Sequence, residues 1–331
     1  MLTTNEHPIL EKVEERPKAA IITLVRNRDL EGMKRTLRTL EERFNNKYKY
    51  PYIFLNDEPF TELFKEEVSK LINAKITFGL VPKEHWSIPE WLDAKKVEER
   101  LEDMARRGVK YGKNLNYRHM CRFFSGLFFK HPLLADLEYT WRIEPDVEFY
   151  CDIDYDPFVF MKRNKKKYGW NVIMPELMDT VPTLGNTVQQ YKEKYKDKLT
   201  PTSFLDVFMS ESGDFSGCHF WGNFEIIDLS FVRSPEYQSF FDHLDRAGGF
   251  YYERWGDAPV KSIATGLFLS IDQVHYFEDI GYMHDDLMNC PASAEIQKKC
   301  RNCPPSKNVN YPRDCYRRYK DLNDRRLKQL L

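Results

Sequence analysis

No stretch of this 331-residue chain approaches the roughly 18–20 consecutive apolar residues that a bilayer-spanning helix needs. Nor does its first stretch, MLTTNEHPILEKVEERPKAA, carry the apolar core of a signal peptide. Both facts suit a cytosolic protein or the soluble piece of a longer anchored chain, and the polar start suits a stalk remnant. An excess of one charge is also lacking. Fifty basic and 51 acidic side chains leave a formal net charge of -1, so no global field gathers nucleic acid or coats a membrane. There is no Walker loop, G-x-G-x-x-G turn, nucleophile elbow or H-E-x-x-H helix. Those absences count against P-loop NTPases, the usual dehydrogenases, α/β-hydrolases and zincins. No Asn-x-Ser/Thr sequon occurs, so glycosylation says nothing about compartment.

What is present begins with apolar content. Apolar residues make up 42% of the chain and aromatics 15%, enough for a sizeable core. Residues 19–25 (AAIITLV) form a continuous apolar run, the pattern of a strand buried on both faces. Arg26-Asn27-Arg28-Asp29 then ends it, and Leu30, Met33, Leu37, Leu40 and Phe44 recur at helical spacing. Residues 52–55 and 76–81 repeat the strand pattern, and 139–143 is a fourth strand. Further strands are expected at 172–174, within 219–227 and at 263–269, with helices over 91–107 and 117–130. Segment 185–204 reads as a polar surface excursion and the chain from about 287 as an irregular tail. Strands alternating with amphipathic helices predict one α/β domain with a mostly parallel, Rossmann-like sheet flanked by helices.

The seven cysteines leave three readings open. Cys121, Cys151 and Cys218 lie in or beside apolar segments, while Cys290, Cys300, Cys303 and Cys315 crowd the tail. Disulfides in an oxidising compartment are the first reading, with free thiols and a zinc site at the C-x-x-C pair Cys300/Cys303 as the others.

In open α/β sheets, ligands bind beyond the carboxyl ends of the strands. Several expected strands end in polar clusters: Arg26-Asn27, Asn56-Asp57, Glu144-Pro145-Asp146 and Pro175-Glu176. Pro145 stiffens its turn, and adjacent carboxylates repel unless a cation compensates, so this turn is the leading metal candidate. His284-Asp285-Asp286 is a second, its mixed imidazole and carboxylate set suiting manganese. Glu225 stands inside the aromatic stretch CHFWGNFEII, either partly buried or facing a cleft. The stretch from Gly248 to Pro259 sets Tyr251, Tyr252 and Trp255 beside Asp257, a composition that suits sugar rings as well as a protein surface.

Six collinear stretches carry a resemblance: IITLVRN (21–27), YIFLNDEPF (52–60), YRHMCRFFSGLFFKHPLL (117–134), YTWRIEPDVEFYCDIDYDPF (139–158), CHFWGNFEII…WGDAP (218–259) and IGYMHDDLMNCP (280–291). Together they resemble the fungal Ktr family of Golgi α-1,2-mannosyltransferases. The resemblance implies a GT-A-like fold, GDP-mannose as donor, Mn²⁺ as cofactor, retention of anomeric configuration and a mannoside acceptor on N- or O-linked glycans. It implies Glu144 and His284, with Asp146 close by, as metal ligands, and Glu225 as the catalytic carboxylate, either nucleophile or front-face stabiliser. Arg26, Asn56, Asp57, Tyr117 and Arg118 fall on the donor side; Tyr111, Glu176, Asp257 and Trp255 fall on the acceptor side. Residues 19–331 become the catalytic domain and 1–18 a stalk remnant or N-terminal extension of a type II Golgi membrane protein. Lys261 departs from the pattern, since relatives often carry histidine there.

Overall fold

A computed structural model describes residues 16–311 and 313–330, so most of the expected N-terminal extension lies outside the described residues. Twelve short strands form among them. β1 (Ala19–Leu24), β2 (Tyr52–Asn56), β3 (Ile76–Leu80) and β4 (Tyr139–Arg142) are followed by β5 (Val147–Phe149), β6 (Tyr168–Trp170), β7 (Ile173–Pro175) and β8 (Cys218–Phe220). β9 (Glu225–Asp228), β10 (Val274–Tyr276), β11 (Tyr282–His284) and β12 (Leu287–Asn289) complete them.

Seven strands make the main sheet in the order β10-β6-β9-β4-β1-β2-β3. β1 runs parallel to β2 and β4, while β9 runs antiparallel to both β4 and β6. β9 is therefore the one reversed strand of an otherwise parallel sheet, as its remaining pairings, β2 with β3 and β10 with β6, are parallel. The reversal has a consequence at the rim. The first residue of β9, Glu225, pairs with the last residue of β4, Arg142. A strand that ran the other way would place Asp228 there instead.

Two smaller sheets bring distant segments to the same rim. β11 pairs antiparallel with β5, setting His284 opposite Val147, directly after the Glu144-Pro145-Asp146 turn. β7 pairs with β8, which ties Glu176 to Gly217 through a backbone hydrogen bond of 2.7 Å. The helix Leu30–Leu40 buries Met33, Leu37 and Leu40 against the sheet, as its 3–4 spacing requires. Thr36 on that helix donates to the Glu144 carbonyl at 2.8 Å and accepts from the Val147 N–H at 3.0 Å, fixing the acidic turn from below.

Three expectations need correction. Residues 263–269 are not a strand: 263–268 belong to the helix Asp257–Phe268, buried on nearly every face. A helix enclosed on all sides shows no amphipathic period, so its apolar run reads equally as a buried strand. Segment 185–204 is not only a surface excursion, because the helix Leu184–Lys194 buries Val188 and Tyr191. The tail beyond 287 holds β12 and the helix Asp314–Leu330. It is cross-linked by disulfides Cys151–Cys300, Cys218–Cys315 and Cys290–Cys303, leaving Cys121 as a buried thiol. The C-x-x-C pair is thus divided between two bridges. Among the described residues, no helix is long and apolar enough to cross a membrane.

Candidate active site

The strand ends converge on a cleft of about 650 Å³. Arg26, Asn56 and Asp57 line it from the ends of β1 and β2, and Glu144 from the turn after β4. His284 and Asp285 enter from β11, Glu176 from β7, Tyr111 and Tyr117 from the region preceding and opening the helix Leu115–Gly126, and Asp257 from its own helix. These residues span most of the chain, yet the topology sets them around one space.

The donor-side candidates sit as a polar wall. Arg26 pairs with Asp57 at 3.5 Å. Asn56 is buried, its side-chain oxygen accepting from the Asp57 N–H at 2.9 Å. Its amide nitrogen has no partner among the described residues, and neither do Trp86 Nε1 and Arg254 Nε, on other cleft-lining residues. Buried donors without acceptors cost stability unless something accepts from them. Three of them around one cleft suit a ligand rich in phosphate or hydroxyl oxygens.

A buried charge network runs from the cleft lining into the protein. Arg142, 3% exposed, donates to Glu144 at 2.7 Å and to Asp257 at 2.5 Å, with Glu225 at 4.0 Å. Burial by itself would depress the pKa of Arg142, but the field of Glu144, Asp257 and Glu225 outweighs it and raises the value. Burial likewise pushes the Asp257 carboxyl up, while Arg142 and Lys261 together hold it below its ordinary value. Asp257 is therefore ionised at neutral pH and available as a hydrogen-bond acceptor.

Glu225 lies beneath the cleft surface and not on it. It is 2% exposed, its carboxylate is in contact with Lys261, Tyr168 donates to it at 3.2 Å, and it does not line the cleft. Three other candidates also do not line the cleft. Asp146, with a left-handed backbone (φ 61°) that aspartate tolerates, turns to Arg35 on the neighbouring helix and does not line the cleft. Arg118 is fully buried, donating to the backbone carbonyls of Tyr111 at 3.3 Å and Asn114 at 3.4 Å instead of facing the donor side. Trp255 is 1% exposed, hydrogen-bonded to Glu253 at 2.5 Å, with its indole against Gly249.

That last contact gives a test. A Cβ on Gly249 would lie 2.0 Å from the Trp255 ring. Gly249→Ala is expected to lower stability by about 1–3 kcal/mol through overpacking and, by displacing Trp255, to shift Asp257 two residues on. Thermal melting reads the first effect and acceptor KM the second.

Residues that sequence reasoning missed are Arg142, Asn223, Trp86 and Arg254. Asn223 contacts Nδ1 of His284, and Trp221 stacks on the same ring at 5.2 Å, so that imidazole is held in one orientation. Arg142 stands two residues before Glu144 in WRIEPD, a visible but ambiguous signal. Tyr111, 46% exposed with φ 61°, stacks on Tyr117 at 4.5 Å and presents an aromatic face at the cleft mouth.

Residues 2–324 match the sequence family described as glycolipid 2-alpha-mannosyltransferase. The chain belongs to this mannosyltransferase family. Among its relatives, glycolipid 2-alpha-mannosyltransferase 1 of Candida albicans is 46% identical over 316 residues, covering 94% of this chain and 73% of that protein. Alpha-1,2 mannosyltransferase KTR1 of Saccharomyces cerevisiae is also 46% identical, over 89% of this chain and 76% of its own length. Core-mannan synthase A from Aspergillus fumigatus, solved in an Mn/GDP form, superposes with TM-score 0.84 at 43% identity, covering 88% of this chain and 79% of the other. The S. cerevisiae mannosyltransferase Ktr4p in complex with GDP gives TM-score 0.85 at 38% identity, covering 88% and 77%. Membership makes the expected GT-A-like α/β architecture the fold of this mannosyltransferase, with the cleft at the carboxyl ends of its parallel strands.

Proposed function

We propose that this chain is a retaining α-1,2-mannosyltransferase that moves mannose from GDP-mannose to a mannoside hydroxyl of an N- or O-linked glycan. Its place would be the Golgi lumen, where the three disulfides suit the oxidising conditions of the secretory pathway. The observation that carries the reading is the cleft itself. Donor-rich polar groups (Arg26, Asn56) line one wall and acceptor carboxylates (Glu176, Asp257) line another.

Glu144 and His284 would hold Mn²⁺. Their carboxylate and imidazole are the donor types manganese accepts, and no cluster of three or more His, Cys, Asp or Glu side chains occurs among the described residues. The Asn223 side chain contacts Nδ1 of His284 and Trp221 stacks on the ring, so the imidazole is held in one orientation. When bound, the ion stabilises charge on the departing GDP. Arg26, Asn56, Asp57 and Tyr117 orient the donor, while Tyr111, Glu176 and Asp257 orient the acceptor. Glu144→Gln and His284→Ala are each expected to weaken Mn²⁺ affinity by at least roughly 10–100-fold, the range for disturbing a metal site. Titrating Mn²⁺ binding by electron paramagnetic resonance checks this independently of turnover.

The depth of Glu225 favours a front-face route over double displacement. A nucleophile must come within about 3–3.5 Å of the anomeric carbon, and Glu225 is tied to Lys261 and Tyr168 behind the cleft wall. In the front-face route the sugar–phosphate bond breaks with its electron pair leaving on GDP. The acceptor oxygen bonds to the same face, and its proton passes to the departing phosphate oxygen. In this route Glu225 forms no bond to the sugar and acts through the Arg142 and Lys261 network that it shares with Glu144 and Asp257. Detection of a mannosyl adduct on Glu225 by mass spectrometry would overturn this choice.

A further inference from the structure

Lys261 is 0% exposed, one turn after Asp257 on the same helix. Its ammonium contacts the Glu225 carboxylate and lies 3.4 Å from Asp257 Oδ2. The Phe124 and Phe128 rings stand 5.5 and 5.8 Å away. A cation so enclosed is tolerable only when paired, and its pairing decides the geometry of the cluster. Three carboxylates, Glu144, Asp257 and Glu225, meet two cations, Arg142 and Lys261. Arg142 is fully engaged with Glu144 and Asp257, and Glu225 lies at the edge of its reach, 4.0 Å away.

Resting on the transferase reading above, we infer that Lys261 is a positioning residue for the acceptor-side carboxylate Asp257. By neutralising Glu225 it leaves the Arg142 fork to Asp257 and Glu144. Without Lys261 a single guanidinium serves three carboxylates. It is drawn toward Glu225, and Asp257 loses the partner that aims it at the cleft.

The test measures binding, not turnover: calorimetric titration of methyl α-mannoside into the protein with GDP and Mn²⁺ present. Lys261→Met is expected to weaken methyl α-mannoside binding by roughly tenfold or more, the effect of losing a charge-assisted contact. GDP affinity should stay within about threefold, too small a change to count as a lost contact. The double variant Lys261→Met with Glu225→Gln removes both the cation and the charge it serves. It is expected to recover mannoside binding to within about threefold of the parent. If the single variant does not fold, the double variant still decides. Unchanged mannoside affinity in a folded single variant, or persistent loss in a folded double variant, would overturn the inference. A parent protein that binds neither GDP nor methyl α-mannoside would instead overturn the transferase reading on which it rests.

Discussion

Arg142→Met should lower the unfolding free energy by about 3–5 kcal/mol, the range for breaking a buried ion pair from one side. The reason is arithmetic within the network. Removing the guanidinium leaves Glu144, Asp257 and Glu225 with Lys261 as the one remaining cation of the cluster. Glu225 is almost wholly buried and Asp257 is 6% exposed, so water cannot replace the lost partner. Arg142→Lys should recover only part of the loss, because one ammonium cannot reproduce a planar fork that reaches Glu144 and Asp257 together. Chemical denaturation measures both variants. A loss near that of an exposed ion pair, about 1 kcal/mol or less, would show that the network is not the electrostatic centre of the fold.

The second large effect lies in the covalent framework. Paired Cys151→Ser and Cys300→Ser substitutions should cost roughly 2–5 kcal/mol, with a fall in melting temperature of about 3–7 °C. The bridge spans 149 residues of sequence, a long loop whose closure restricts the unfolded chain strongly. It also bears on the site. Cys151 follows β5 closely, and β5 pairs with the β11 strand that carries His284. Loosening that anchor should therefore weaken Mn²⁺ binding as well as stability. Thermal melts and Mn²⁺ titrations on the same sample test both. Full stability with unchanged metal affinity would separate the bridge from the site.

How much of this was visible in the sequence follows from which forces are local. The strands at 19–24, 52–56, 76–80 and 139–142 could be read because continuous apolar runs bounded by polar turns leave a local signature. The rim clusters at Arg26, Asn56-Asp57 and Glu144 followed from the rule that ligands gather at strand ends. The helix Asp257–Phe268 reads as a strand in sequence because complete burial erases its period. The resemblance brings Trp255, Arg118 and Asp146 to the site, and in the structure burial, backbone carbonyls and Arg35 engage them, partners that no local pattern announces. The depth of Glu225 depends on the single antiparallel strand in the sheet, which no spacing rule announces. Cysteine pairing was equally beyond reach, since connectivity is a property of the folded topology.

The central claim is transfer of mannose to a mannoside at this cleft. Product analysis tests it most directly: the protein is incubated with labelled GDP-mannose, Mn²⁺ and methyl α-mannoside, with and without a chelator. The account predicts an α-1,2-linked methyl dimannoside with retained configuration, formed only when Mn²⁺ is available. Release of free mannose without any disaccharide, or transfer that proceeds undiminished in the chelator, would contradict it.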